Sequence, residues 1–219
     1  MGAAATFKLK AVGIIVISFI VGFAFFYITS PLQKELKKAQ LEEMFSQLVN
    51  FIIFIWVGKI ILNFSIFIND PLAILAYPSN SDAFYIAILL SAILLFYKNW
   101  KKKLNVIQLI TSFLPVFLVA SFLYEFIQMM LDHNTFSFGY LTLSTILLVL
   151  FLLIHEHLTS GNLILVMLVS WSLGILVLVY TQPFVTIFGY IMAPWFIVLF
   201  LITNLLFILG GKMKSNRQH

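Results

Sequence analysis

The 219-residue chain has no cysteine and very few charged residues. Without cysteine it forms no disulfide, no thiolate nucleophile and no zinc site with cysteine ligands. Charged residues make up 10% of the chain and hydrophobic residues 62%, which is far more apolar than the average composition of soluble domains. The composition therefore predicts an integral membrane protein.

Sequence motifs of enzymes are also missing. No P-loop, G-x-S-x-G or HExxH sequence occurs in the chain. The segment LIHEHLTSG brings His155 and His157 close in sequence, but at this spacing they point apart on a helix and have no third ligand nearby. We therefore predict no metal site and no cofactor.

Long apolar runs organise the chain. A helix needs about 20 apolar residues to cross a bilayer. On this criterion we predict one polytopic membrane domain over residues 1–219, an all-α integral membrane protein with about seven transmembrane helices. The predicted spans are residues 11–30, 48–68, 83–97, 106–131, 139–154, 162–181 and 187–209. In the first span Ser18 and Gly22 form a small-xxx-small pair, which is typical of close helix packing.

The basic residues predict the orientation of the spans. Lysine and arginine are enriched in cytoplasmic loops, and only Lys8 and Lys10 lie on the side of the N-terminus. The opposite side would carry Lys34, Lys37, Lys38, Lys98, Lys101, Lys102, Lys103, Lys212, Lys214 and Arg217. We therefore predict the N-terminus outside and the C-terminus in the cytosol. Because these residues cluster at helix ends, their expected partners are lipid headgroups and not nucleic acid.

Two ionisable side chains fall within the predicted spans. Such a group costs about 2.5–3.5 kcal/mol at membrane depth and usually faces a partner or water. Lys59 lies near the middle of the second span, with Asn63 four residues further on the same face. Glu125 lies towards the outer end of the fourth span, in line with Ser121 and Gln128. Each helix thus has one polar face.

We predict an ion pair between Lys59 and Glu125. Their expected depths below the outer helix ends, roughly 14 Å and 9 Å, differ by less than the reach of a lysine stem. The pair would either fix the register of two packed helices or line a cavity that lipid can enter. Purely additive losses of stability in Lys59→Met, Glu125→Leu and the double variant would contradict the pairing.

The middle of the chain resembles a known enzyme family. The segments are VGKIILNFSIFINDPLAILAYPSNSDAFYIAILLSAILLFYKNWKKK, ITSFLPVFLVASFLYEFI and FGYLTLSTILLVLFLLIHEHLTSGNLILVMLVSWSLGI. Together they resemble the bacterial prolipoprotein diacylglyceryl transferases, seven-helix enzymes that move diacylglycerol from phosphatidylglycerol to a lipoprotein cysteine. The resemblance implies a multi-pass protein of the bacterial cytoplasmic (plasma) membrane with the orientation predicted above.

The positions that carry the chemistry of that family differ here. Lys59 stands where the family has the arginine of a G-A-R triplet, and Tyr85 stands at the histidine of H-G-G. Tyr124 and Glu125 stand where the family has Gly-Arg, and Gln128 replaces an asparagine. Guanidinium groups are suited to holding an anionic phosphoglycerol headgroup. Their absence implies that the family reaction is lost.

We therefore predict a catalytically degenerate relative that acts in lipid or lipoprotein binding or in membrane-complex assembly. Its partners would be a membrane phospholipid such as phosphatidylglycerol, a lipoprotein or another membrane protein. The predicted headgroup-binding or partner-binding residues are Lys59, Asn63, Tyr85, Ser121, Tyr124, Glu125 and Gln128.

Two alternatives stay open. The first is an active lipid-modifying or lipoprotein-modifying transferase with a rebuilt site, in which Tyr85 or Glu125 handles the proton and Lys59 holds the headgroup. The second is a small transporter, since Pro115 and Pro194 are weak signs of the broken helices that transporters use. The sequence thus leaves enzymatic activity undecided.

Overall fold

The computed structural model describes the backbone of residues 2–76, 80–132 and 136–216, and the side chains of residues 10–74, 80–131 and 136–205. Within these ranges the chain forms helices joined by short connections, with one small antiparallel sheet. In chain order the elements are α1 (Gly2–Thr29), α2 (Lys34–Leu62), α3 (Phe64–Asn69), α4 (Ala73–Ala76), α5 (Ser81–Trp100), α6 (Val106–Asp132), α7 (Ser137–Ile154), α8 (Ser160–Thr181), β1 (Thr186–Ile187), β2 (Tyr190–Ile191) and α9 (Pro194–Asn216).

Six of the helices in the described ranges are long and apolar enough to cross a membrane. They are α1, α2, α5, α6, α7 and α8, and α9 adds a shorter apolar stretch, Pro194–Leu205. The prediction of an all-α, multi-pass membrane protein is confirmed at this level. The count of seven spans and the orientation of the termini stay predictions.

The second predicted span, 48–68, was wrong at its C-terminal end. Helix α2 begins at Lys34, so the polar segment before the span is part of the same helix, and it ends at Leu62. Asn63 has φ −125° and ψ 41°, which is not helical, and its side-chain amide donates a 3.0 Å hydrogen bond to the carbonyl oxygen of Lys59. The Asn63 side chain thus caps the last turn of α2. The chain then continues as the separate short helix α3.

The seventh predicted span, 187–209, was wrong at its start. Residues 186–191 form a β-hairpin in which Ile187 pairs with Tyr190. The two residues between them, Phe188 and Gly189, have φ values of 49° and 85°, which is the pattern of a type I′ turn. Helix α9 begins only at Pro194, because proline is well suited to the first helical position.

The chain divides into two compact units, which we describe separately. Unit 1 comprises Met1–Pro31 and Ile110–His219, and unit 2 comprises Leu32–Leu109. Unit 1 holds α1, nearly all of α6, and α7 to α9 with the hairpin. Unit 2 holds α2 to α5.

Unit 2 is built on the antiparallel pair α2 and α5. At one end the Nζ atom of Lys98 lies 2.7 Å from Oε1 of Glu43, with each side chain about one quarter exposed. At the other end the helices come so close that a Cβ atom on Gly58 would lie 2.9 Å from the carbonyl oxygen of Ala83. In each helix the two contact points are fifteen residues apart, about 22 Å along the axis, so the register is the same at both ends.

Reversing the charge of Lys98 is expected to weaken the α2–α5 pair. Lys98→Glu brings two partly buried carboxylates together, and we expect it to lower the free energy of unfolding by about 1–3 kcal/mol. The double variant Glu43→Lys/Lys98→Glu restores a pair of opposite charges, and we expect it to recover most of this loss. Titration with a denaturing detergent measures the change. The control is Glu42→Lys. Glu42 makes a 3.9 Å ion pair with Lys38 in which both side chains are at least 70% exposed. Because exposed ion pairs contribute little, we expect this variant to lower the free energy of unfolding by no more than about 1 kcal/mol. Failure of the swap to recover stability would contradict the pairing.

The core of unit 1 lies between α6, α7 and α8. Its buried apolar side chains are Leu114, Leu118, Leu147, Phe151, Leu163, Ile164 and Met167. Helix α1 approaches α6 at Gly22, where an added Cβ would lie 2.6 Å from the carbonyl oxygen of Val116. The small pair Ser18 and Gly22 thus lies on a closely packed helix face, and the Ser18 side chain is itself fully buried.

Candidate functional site

Lys59 was predicted near the middle of a span, but the structure places it in the last turn of α2, three residues before the helix ends at Leu62. It follows Gly58, where α2 closely approaches α5. Its side chain is 6% exposed, and Nζ lies 5.8 Å from the centre of the Trp56 ring. A cation over an indole ring is attracted by the ring quadrupole. Trp56 is 47% exposed, so the ring beside the Lys59 ammonium group also has an exposed part.

The other two predicted site residues of unit 2 have different roles. Asn63 ends α2 through the hydrogen bond to the Lys59 carbonyl oxygen. Tyr85 is buried near the start of α5, two residues after Ala83, and its ring lies edge-on to that of Phe84 at 6.5 Å between centroids. Asn80 caps this helix by accepting a 3.0 Å hydrogen bond from the backbone N–H of Ala83. Lys59 and Tyr85 therefore flank the same helix crossing, one on each helix.

In unit 1 Glu125 belongs to a group of buried polar side chains that we call the α6–α8 polar cluster: Ser121, Glu125, Ser137, Tyr140 and Trp171. Glu125 is 1% exposed, and the Ser137 side chain from the start of α7 hydrogen-bonds its carboxyl group. The other carboxyl oxygen, Oε1, is buried and has no hydrogen-bond partner in the part of the chain that the structure describes. A buried polar atom without a hydrogen bond is uncommon in a native fold, and the Ser121 hydroxyl oxygen beside it is another one in the described ranges.

The rest of the cluster extends across to α8. The indole N–H of Trp171 donates a 3.1 Å hydrogen bond to the Tyr140 hydroxyl oxygen. Ser121, which is 1% exposed, lies beside the same hydroxyl group. Since each member sits on a transmembrane helix, the cluster joins three helices by polar groups at membrane depth, where hydrogen bonds between helices commonly hold them together.

Tyr124 and Gln128 form a separate polar pair on another face of α6. The side-chain amide of Gln128 donates a 3.1 Å hydrogen bond to the Tyr124 hydroxyl oxygen. The Tyr124 ring lies 5.3 Å from that of Phe188, and a Cβ on Gly189 would lie 3.3 Å from the Tyr124 oxygen. The predicted stripe of Ser121, Glu125 and Gln128 is thus divided. Ser121 and Glu125 lie against α7, whereas Gln128 bonds Tyr124, which contacts the hairpin.

Sequence reasoning found the α6 members of these groups and missed Ser137, Tyr140 and Trp171. A signal for two of them was present. Ser137 and Tyr140, followed by the buried Ser144, are spaced by three and four residues along α7, which is the same rule that identified Ser121 and Glu125 on α6. Trp171 had no such signal, because an indole in an apolar span is also typical of plain packing.

The chemistry available in the cluster is hydrogen bonding. It contains a carboxyl group, two serine hydroxyls, a phenol and an indole N–H. A serine beside a carboxyl lacks the imidazole base that activates serine nucleophiles in known triads. The arrangement is suited to holding a polar group or tying helices together, and it does not form a recognised nucleophile.

Comparison of the chain with protein-family models, with curated proteins and with solved structures found no match. The predicted ion pair between Lys59 and Glu125 involves one residue from each unit and stays a prediction.

Proposed function

We propose that this multi-pass membrane protein binds a membrane phospholipid and does not transfer diacylglycerol. The candidate lipid is phosphatidylglycerol, because the diacylglyceryl transferases that the chain resembles use it as a substrate. The proposal includes the finer expectations from the sequence: a bacterial plasma membrane, the N-terminus outside and the C-terminus in the cytosol. A lipoprotein or a partner membrane protein in place of the lipid is an outcome that the experiments below distinguish.

The observation that carries the proposal is the position of Lys59. Lys59 lies in the last turn of α2 and is nevertheless buried, and a buried ammonium group favours an anionic partner. Here Nζ lies beside Trp56, whose ring is half exposed, so a headgroup phosphate arriving along the outside of α2 has a short route to the charge. The exposed apolar side chains of α2, such as Ile52 and Ile53, would accommodate the acyl chains.

The absence of transfer is argued from Glu125. The resembling enzymes have a guanidinium group at the matching position, and such a group stabilises negative charge that develops during transfer. In this chain the position holds a buried carboxyl group hydrogen-bonded by Ser137. A carboxyl group offers no positive charge to a phosphate or to an oxyanion.

Lipid retention tests the binding. Phosphatidylglycerol is expected to copurify with the wild-type protein in detergent. The amount of bound lipid per protein is expected to be several-fold lower in Lys59→Ala. Lys59→Arg keeps the positive charge and is expected to retain most of the lipid. The control is Lys101→Ala, which removes an exposed lysine at the end of α5. Unchanged lipid content in a monodisperse Lys59→Ala sample would exclude this binding site, and a copurifying protein in place of lipid would support the partner alternative.

A transfer assay tests the second half of the proposal. Purified protein is incubated with labelled phosphatidylglycerol and a peptide that carries a lipoprotein signal with its cysteine. We expect no diacylglyceryl peptide above a protein-free control. Steady turnover that is lost in Tyr85→Phe or Glu125→Gln would instead establish the rebuilt transferase, and solute uptake by proteoliposomes would establish the transporter.

A further inference from the structure

The tip of the β1–β2 hairpin reaches the middle of the membrane-spanning helices. The Phe188 ring lies 5.1 Å from that of Phe19 and 6.1 Å from that of Phe117. Phe19 is midway along the span Lys10–Thr29, and Phe117 is near the middle of Val106–Leu131. Each is therefore roughly 14 Å or more from both ends of its helix.

The base of the hairpin lies at the level of a helix end. The Phe184 ring packs at a tilt against that of Phe136, the residue just before α7, with 4.9 Å between the ring centroids. From Phe184 to Phe188 the extended chain advances about 13 Å. The backbone N–H of Met192 donates a 2.8 Å hydrogen bond to the carbonyl oxygen of Val185 on the way back. The segment thus enters the membrane layer and returns to the same side.

The backbone at the tip is open. Val185, Ile187 and Met192 are buried, but Gly189 is exposed. Peptide groups without a helical or barrel partner are stable at membrane depth only when protein covers them or when they line a water-filled cavity. Gly189 is exposed among the residues that the structure describes, so contact with lipid would leave its peptide groups without hydrogen bonds, at a cost of several kcal/mol each.

Polar side chains continue from the tip towards the end of α6. The Tyr124 hydroxyl adjoins Gly189, and Gln128 lies one turn nearer to the end of the helix at Asp132. Tyr124 is buried and Gln128 is half-buried. Together with the peptide groups at Gly189, they place hydrogen-bonding groups at the tip and one helical turn nearer to the membrane surface.

We propose that residues 184–193 form a re-entrant hairpin whose tip lines a water-filled cavity within the membrane. The cavity takes water and small polar solutes, because the groups identified at its wall are peptide, phenol and amide groups. It belongs to unit 1 and does not depend on lipid binding at Lys59. The proposal stands or falls independently of the proposed function.

The absence of native cysteine makes the test direct. Gly189→Cys is reconstituted in vesicles and treated on both faces with a small water-soluble thiosulfonate that does not cross lipid. Thiols react as thiolates, which form in water and not in hydrocarbon. Ile20→Cys is the depth-matched control, since Ile20 adjoins Phe19 and is 60% exposed on α1. Lys103→Cys, in the exposed segment after α5, gives the reactivity of an open position.

We expect Gly189→Cys to react within a factor of about ten of Lys103→Cys, and Ile20→Cys to react at least one hundred times more slowly. Because Gly189 has a positive φ, Thr186→Cys is a second probe that places a side chain of similar size on β1. Folding is checked by size-exclusion chromatography, and the total thiol is counted after denaturation. Equal, slow reaction of both hairpin cysteines and of Ile20→Cys would overturn the proposal, whether lipid or a partner chain covers the tip.

Discussion

Replacing Gly22 with leucine is expected to prevent α1 from packing against α6. A Cβ atom on Gly22 would lie 2.6 Å from the carbonyl oxygen of Val116 and 3.2 Å from its Cγ1. The obstacle is largely backbone of a buried residue, since Val116 has no exposed surface, and it cannot rotate away as a side chain would. Overpacking of a well-packed site typically costs about 1–3 kcal/mol and occasionally more. We expect Gly22→Ala to lower the free energy of unfolding by an amount within this range, and Gly22→Leu to lower it by an amount at or above the upper limit.

Titration with a denaturing detergent measures both variants, and Gly13 supplies the matched control. Gly13 lies on the same helix, but a Cβ there would have no neighbour within 4 Å. Gly13→Ala is therefore expected to be neutral or slightly stabilising, because alanine has the higher helix propensity. Equal effects of alanine at the two positions would show that α1 and α6 do not approach at Gly22.

Hydropathy predicted where most of the helices lie. The helices α5 to α8 cover the third to sixth predicted spans with ends that differ by a few residues, because each helix must be apolar over about 20 residues to cross the membrane. The pair Ser18 and Gly22 indicated a packed face before its neighbour was known. These features follow from local spacing, which a sequence shows directly.

The hairpin could not be predicted in the same way. Hydropathy averages over a window, and the run VTIFGYIMAPWF is as apolar as a helix would be. The conformation that separates it from a helix is the positive φ at Phe188 and Gly189. A glycine alone does not indicate it, and phenylalanine is normally evidence against a left-handed backbone. The fold holds Phe188 in place through residues distant in sequence, such as Phe19 and Phe117.

At position 188 the glycine variant is expected to be more stable than the alanine variant, which is the reverse of the usual order. Its φ of 49° places a bulky residue in the left-handed region, which costs about 1–2 kcal/mol for any residue with a Cβ atom. Phe188→Ala removes the ring contacts with Phe19, Phe117 and Tyr124 but keeps this cost. Burial of a phenylalanine is worth about 3–5 kcal/mol in a full core, and we expect about 2–4 kcal/mol here because the ring is only half-buried.

Phe188→Gly removes the same ring and the backbone cost together. It is therefore expected to be more stable than Phe188→Ala by about 1 kcal/mol, as measured by the midpoint of unfolding in denaturing detergent. Ile191 on β2 provides the comparison, since its φ is not positive and glycine in a strand is ordinarily less stable than alanine by about 0.5–1 kcal/mol. Opposite orders at the two positions would confirm the left-handed backbone at residue 188. If alanine were the more stable residue at both, the left-handed turn would be contradicted, and with it the route by which the chain returns from the middle of the membrane.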